Sequence, residues 1–231
     1  KAFLKDQPWR GLNVTIPYKK EVCALADSAS EDAQAIGAAN TLVKDANGFI
    51  AADNTDVYGF EYLIKSLKVN LSQKKAIVFG AFGGAGQAIC YALKKSGAYV
   101  VGVSRNPHES SSYVDYAITY DQLKLHYDAD LLVNATPVGM FPHAGVSPLS
   151  KEELSAFTSL QCVIDLIYNP LRSQLLLDAE SLGILNVNGL KMLVAQAARA
   201  SSLFLGQDVS DSQIESISRE LHASKENIVL I

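Results

Sequence analysis

The stretch Lys75-Ala-Ile-Val-Phe-Gly-Ala-Phe-Gly-Gly-Ala-Gly-Gln-Ala-Ile89 reads as a short apolar strand, a glycine-rich turn and the first turns of a helix. That order is the context a dinucleotide-binding fingerprint requires. Gly83 and Gly86 take the second and third glycine places of G-x-G-x-x-G, where a missing Cβ lets backbone N–H groups approach a pyrophosphate and lets the helix pack closely. The first place is Ala81 in an ungapped register, or Gly80 if the loop carries one extra residue through Phe82. A helix beginning near Ala85 aims its N–H groups and dipole at the phosphates.

The next strand end bears on which dinucleotide is bound. An NAD site calls for Asp or Glu about 20 residues on to hold the ribose 2′-OH, whereas an NADP site calls for a small or polar residue with Arg beside it. The chain has Ser104-Arg105-Asn106, a guanidinium and no carboxylate, which favours NADP. Further along, His108 is a weak second basic group and Glu109 opposes a phosphate.

Outward from the loop, β-branched runs alternate with helix-length amphipathic segments. The strands are expected at Ala76–Phe79, Ala98–Val103, Leu131–Asn134, Val163–Leu166 and Leu185–Val187, with helices at Ala85–Lys95 and Ser173–Ser181. Alternation of this kind, with continuous apolar strands, predicts an α/β fold with a doubly wound parallel sheet covered on both faces. The residues before Lys74 form a smaller unit, with strands expected at Gly11–Ile16 and Asn40–Val43 and helices at Lys19–Ala26 and Val57–Leu67. After Gly189 the pattern is helical, over Met192–Leu205 and Asp211–Leu221, the latter opened by Ser210 or Asp211 as N-cap.

Composition excludes whole classes. The 231 residues are 48% hydrophobic and 19% charged, as in a globular protein with one or two domains. Twenty basic against twenty-four acidic side chains leave a net charge of −4, with no Lys/Arg block to serve nucleic acid or an anionic membrane. No apolar run approaches the roughly 20 residues of a membrane span. Lys1–Pro8 lacks the apolar centre of a signal peptide, so the start reads as cut rather than targeted. Cys23, Cys90 and Cys162 are too few and too scattered for a disulfide framework, which suits a reducing, cytoplasmic setting. The histidines lack ligand spacing, and no metal is expected.

Polar residues at apolar strand ends are the anomaly of the smaller unit. Asn13 and Thr15 interrupt Leu12, Val14 and Ile16 ahead of Pro17 and Lys19-Lys20; Ala38-Ala39-Asn40-Thr41 and Ala52-Asp53-Asn54-Thr55-Asp56 repeat the theme. Singly these are turn and cap residues, and Asp56 is an N-cap candidate for Val57–Leu67. Together they offer a lysine, carboxylates and many hydrogen-bonding groups suited to a small polyhydroxylated acid.

Seven motifs then stand in the order they have in shikimate dehydrogenases, which the chain resembles over nearly its whole length. They are Asn13-Val-Thr-Ile-Pro-Tyr-Lys19, Gly37-Ala-Ala-Asn-Thr41, Asp53-Asn-Thr-Asp56, the glycine loop, Asn134-Ala-Thr-Pro-Val-Gly139, Asp165-Leu-Ile-Tyr-Asn-Pro170 and Gly189-Leu-Lys-Met-Leu-Val-Ala-Gln196. The resemblance implies reversible NADPH-dependent reduction of 3-dehydroshikimate to shikimate, on the route to chorismate and the aromatic amino acids. It implies that Lys19 and Asp56 are the catalytic pair and that Thr15, Asn40, Tyr168 and Gln196 bind substrate. It places the cofactor against Gly83, Gly84, Ala85, Ser104, Arg105, Asn134, Ala135, Thr136, Gly189 and Met192.

It further implies a Rossmann-like NADP domain over 58–189 and a smaller α/β substrate domain built from 1–57 and completed by the C-terminal helices of 190–231, with the site between them. Family members begin with a strand and a Ser-x-Ser-Pro loop that holds the substrate carboxylate, so against the family the chain reads as lacking its N-terminal strands. The expected partner is a small-molecule substrate, on a monomer or homodimer. A quinate/shikimate dehydrogenase with NAD preference and a non-catalytic ligand-binding relative are the alternatives, and retention of both Lys19 and Asp56 argues against the second.

Overall fold

Strand residues that are apolar on both sides need cover on both sides, and the computed structural model, which describes residues 2–106 and 111–228, supplies it. The first part of the chain contains α1 (Ala2–Asp6), β1 (Gly11–Asn13), α2 (Lys19–Leu25), β2 (Ser28–Ala29), α3 (Glu31–Ile36), β3 (Thr41–Lys44), β4 (Ile50–Asp53) and α4 (Thr55–Leu67). There follow β5 (Lys75–Phe79), α5 (Gly84–Lys95), β6 (Tyr99–Val103), β7 (Tyr116–Ile118), a 3₁₀ turn (Tyr120–His126), β8 (Leu131–Asn134), α6 (Lys151–Ser155) and β9 (Cys162–Asp165). The last elements are α7 (Gln174–Ser181), β10 (Leu185–Asn188), α8 (Leu190–Leu205) and α9 (Asp211–Ile228).

Among the described residues the strands make two sheets. One is six-stranded and parallel throughout, ordered β10-β9-β8-β5-β6-β7. Numbered within that sheet, the order is the 3-2-1-4-5-6 of the doubly wound dinucleotide fold. In β5, Ala76 and Val78 face a core shared with α4 and α5, while Ile77 and Phe79 face one shared with α6 and α7. The alternation of one strand between two buried faces is why its sequence shows no polar position after Lys75, its first and half-buried residue.

The other sheet is four-stranded and mixed, ordered β1-β3-β4-β2, with β1, β3 and β4 antiparallel and β2 parallel to β4. The expected strand Gly11–Ile16 is shorter, ending as β1 at Asn13. Val14 N–H still donates to Asn40 O at 2.7 Å, but the chain then turns, with Tyr18 N–H donating to Thr15 O at 3.0 Å. Pro17, with no N–H to give, cannot continue the ladder. Asp56 is not an N-cap: α4 opens one residue earlier, at Thr55, and Asp56 lies in its first turn. Ser210 caps α9, its Oγ accepting from Gln213 N at 3.4 Å while Gln213 Oε1 accepts from Ser210 N at 2.9 Å.

α8 runs back against α4 and reaches β1 and β3. Its Phe204 ring fills the space over Gly11, within 2.1 Å of where a Cβ would stand. The C-terminal helices thereby find the packing partner their apolar faces require. No helix among the described residues is long and apolar enough to cross a membrane.

Candidate active site

Cross-strand register brings Phe79, Val103, Asn134, Asp165 and Asn188 to one edge of the large sheet, where each strand gives way to a loop. Strand order reverses between β5 and β8, so the loops after Phe79 and Asn134 diverge there and leave a crevice. Gly80 occupies the first glycine place: its φ of +74° is left-handed, and the loop accommodates Phe82 as the extra residue. A Cβ on Gly86 would stand 2.0 Å from Gly80 O, so close helix-to-loop packing requires glycine at 86. Helix α5 opens at Gly84 after Gly83 as N-cap, with no side-chain cap and no acidic residue in its first turn, which leaves its N-terminal N–H groups and positive dipole end unneutralised.

A cavity of about 580 Å³ lies over this loop. Gly83, Gly84, Ala85, Ser104, Arg105, Ala135 and Thr136 all line it, as the sequence leads one to expect for a cofactor site. Its remaining wall includes Ile16, Phe82 and Val138, which lie within the motifs but are not among the expected site residues, and Tyr120, which lies outside every motif. Tyr120 lies beyond the edge strand β7, and its ring packs on Phe79 at 5.8 Å between centroids. Burial raises the Tyr120 hydroxyl pKa and the Arg105 guanidinium partly offsets this. These features fit a dinucleotide phosphate: an uncapped helix start, a turn stripped of side chains and an exposed Arg105 at the end of β6. His108 and Glu109, expected to act on a 2′-phosphate, lie outside the described residues.

A second cavity, of about 420 Å³, adjoins the first at Ala85, which lines both. Thr15, Lys19, Asn40, Asp56, Tyr168 and Gln196 meet on its walls, together with Gly189 and Met192. Lys19 Nζ donates to Asp56 Oδ2 at 2.6 Å, with the two side chains 14% and 13% exposed. The other carboxylate oxygen accepts from Asn40 Nδ2 at 3.0 Å. Asn40 Oδ1 accepts from Thr55 N at 2.8 Å, and Thr55 Oγ1 donates to Gln196 Oε1 at 3.2 Å. One network therefore joins α2, the start of β3, α4 and α8. Asn13, Val14, Leu166 and Leu193 complete the wall. Leu166 and Leu193 are indistinguishable from core leucines in the sequence alone.

Asn134 lines neither cavity. It is fully buried beneath Ala135 and Thr136, its Nδ2 donating to Asp165 Oδ1 at 3.0 Å and its Oδ1 accepting from Thr136 N at 3.0 Å. Asp165 is likewise fully buried, and burial pushes its carboxyl up to about 6 against the pull of hydrogen bonds from Ser173, Ile167 and Asn134. Burial also raises the thiols of Cys90 and Cys162 to about 12, which keeps them unreactive.

A doubly wound sheet with a glycine turn and an uncapped helix, opening beside a polar pocket that holds a lysine–carboxylate pair, fits a two-site dehydrogenase of the pyridine-nucleotide class. The shikimate dehydrogenase (NADP⁺) of Caldanaerobacter subterraneus subsp. tengcongensis is 38% identical over 215 residues, which are 88% of this chain and 75% of that enzyme. The chain belongs to the shikimate dehydrogenase family. A family model described as the shikimate dehydrogenase substrate binding domain matches residues 1–42. The chorismate mutase/shikimate 5-dehydrogenase fusion protein of Clostridium acetobutylicum superposes with a TM-score of 0.86 at 36% identity, over 94% of this chain and 78% of that one. The Thermus thermophilus shikimate 5-dehydrogenase, solved in complex with NADP(H) and shikimate, gives 0.81 at 34%, over 94% and 82%.

Proposed function

We propose that this chain reversibly reduces 3-dehydroshikimate to shikimate with NADPH, and that Lys19 and Asp56 carry the proton. The observation that supports this most is the Lys19–Asp56 pair, held at 2.6 Å in a polar cavity that adjoins the phosphate-ready loop at Ala85. Bound over Gly83, Gly84 and Ala85, the dinucleotide supplies the hydride. Reduction then requires a proton at the carbonyl oxygen, and oxidation requires one to be removed from the hydroxyl. A lysine hydrogen-bonded to a carboxylate does both within hydrogen-bond reach of one oxygen. Asn40 fixes the far side of the Asp56 carboxylate, so the pair has one orientation.

Thr15, Asn40, Tyr168 and Gln196 offer hydroxyl and amide groups to the ring hydroxyls of the substrate. Gly189 and Met192 border the hydride end, and Ser104, Arg105, Ala135 and Thr136 border the adenosine half. Asn134, fully buried, supports that border from beneath. In this reading 58–189 bind the cofactor, 1–57 with 190–231 bind the substrate, and closure of the cleft excludes water from the transfer. The substrate is a small acid, and three thiols, none in a disulfide, suit a reducing cytoplasm.

Initial rates with shikimate and with quinate, each against NADP and NAD and followed by cofactor absorbance, test the assignment. Shikimate with NADP is the expected fastest combination. A faster quinate–NAD pair overturns it.

A further inference from the structure

We propose that Asp165 is a positioning residue that sets both halves of the site at once, holding the loop on the cofactor side and the segment on the substrate side in a single geometry. The argument extends the functional reading above and rests on it for what the two cavities bind.

Asp165 ends β9 in register with Asn134 at the end of β8. Its carboxylate is fully buried and accepts three hydrogen bonds, from groups in three separate segments. Asn134 Nδ2 donates to Oδ1 at 3.0 Å, Ile167 N donates to the same oxygen at 3.1 Å, and Ser173 Oγ donates to Oδ2 at 2.5 Å. The first contact leads to the cofactor cavity. Asn134 Oδ1 accepts from Thr136 N at 3.0 Å and from Thr136 Oγ1 at 2.6 Å, and Thr136 Oγ1 accepts from Val138 N at 3.2 Å. Thr136 and Val138 line that cavity. The second contact fixes the backbone between Leu166 and Tyr168, both of which line the substrate cavity. The third ties the carboxylate to the residue before α7.

The chemistry of the choice supports a positioning role. An apolar residue would serve packing at a buried strand end at lower cost, since a buried carboxylate stabilised by hydrogen bonds alone remains expensive to desolvate. That cost shows as the elevated Asp165 pKa. What the carboxylate offers in exchange is geometry: two acceptor oxygens at fixed separation, addressed by donors from both loops. Catalysis between two ligands depends on holding them within a fraction of an ångström of one another, which such a shared anchor provides.

The test compares Asp165→Ala, Asp165→Asn, Thr136→Ala and Tyr168→Phe by steady-state kinetics with shikimate and NADP. Asp165→Ala is expected to raise KM for both ligands about tenfold, while Thr136→Ala raises that for NADP alone and Tyr168→Phe that for shikimate alone. Asp165→Asn keeps an acceptor oxygen for Asn134 and Ile167 and turns its amide to Ser173 Oγ, so both constants return to within about threefold of wild type. An Asp165→Ala protein that raises only one KM or neither, or an Asp165→Asn protein as impaired as Asp165→Ala, overturns the proposal. If Asp165→Ala does not fold, Ser173→Ala takes its place, with a smaller rise in both constants expected and no rise overturning.

Absence of shikimate turnover in the wild-type protein would count against the functional reading only. Amide hydrogen exchange then decides the matter without substrate. Segments 135–138 and 166–168 should exchange slowly in wild type and Asp165→Asn but faster in Asp165→Ala, or in Ser173→Ala, and equal exchange overturns the proposal.

Discussion

The two adjoining cavities, termed the substrate side and the cofactor side after their proposed roles, are built on opposite principles. The substrate side is a convergence of side chains: Lys19, Asn40, Asp56 and Gln196 come from four segments, and the Thr55–Gln196 hydrogen bond spans 141 positions. The cofactor side is mostly backbone at strand ends, where Gly80, Gly83 and Gly84 offer no side chains and α5 offers its N-terminus. Side-chain truncation should therefore be most damaging on the substrate side. Addition of a single carbon should be damaging on the cofactor side.

The largest effect is expected at Lys19. If Lys19 carries the proton as proposed, Lys19→Met should lower kcat by about 10³-fold while leaving NADPH affinity, read by fluorescence titration, within about twofold. Wild-type turnover in that variant would break the comparison at its root. Next comes Gly86→Ala, whose new Cβ meets Gly80 O at 2.0 Å. Forcing helix from loop should raise KM for NADP about 30-fold and cost about 2 kcal/mol of stability in denaturant melts, with little change in KM for shikimate. Equal damage to both constants would show that the two sides are not separately built.

Arg105→Ala is the exception that sharpens the contrast, because it truncates a side chain on the cofactor side. Loss of one guanidinium opposite a phosphate should weaken NADP about tenfold and leave NAD unchanged, read as the ratio of their KM values. An unchanged ratio would assign the 2′-phosphate to other groups.

A shift without direct loss of a ligand contact is expected at Asp165, whose partners lie next to residues of both cavities. Burial raises its folded-state carboxyl from 3.8 to about 6, so the folded protein takes up that proton more readily than the unfolded chain does. Its contribution to stability is full below about pH 4 and is lost as pH rises through about 6, on the order of 3 kcal/mol at most. Asp165→Asn carries no such loss. Its melting temperature should exceed that of wild type by a few degrees near pH 8, with the gap shrinking toward pH 4. A gap that grows with acidity would reverse the sign and place a stabilised charge at Asp165.

Much of the large sheet is legible before folding. The expected Leu131–Asn134 is β8 itself, and Ala76–Phe79 and Ala85–Lys95 fall within one residue of β5 and α5, because strands buried on both faces and an amphipathic helix leave strong periodic signals. β7, at the sheet edge with Tyr116 exposed, leaves none. In the small sheet, β2 is only two residues, β4 is Ile-Ala-Ala-Asp, whose alanines carry little strand propensity, and α3 is announced only by its Ser30 cap and the left-handed Gly37. The motif residues gather in the two cavities, yet Asn134 shows the limit of such reading. A polar residue in a motif at a strand end looks like a ligand contact, and burial makes it a support.

By itself the sequence determined the class of fold and the glycine turn, and it favoured a phosphorylated dinucleotide through Arg105, since these depend on local periodicity and on which residues lack a Cβ or carry a charge. Only the tertiary structure decided that Gly80 is the turning glycine, that Lys19 and Asp56 meet at 2.6 Å, that Tyr120 walls the cavity over the glycine loop and that Asp165 is buried among Asn134, Ile167 and Ser173. Those facts depend on how distant segments pack. Helix and strand periods are written over a few neighbouring residues, whereas a convergence of side chains is fixed by the register of the sheets and by the seat of α8 on α4.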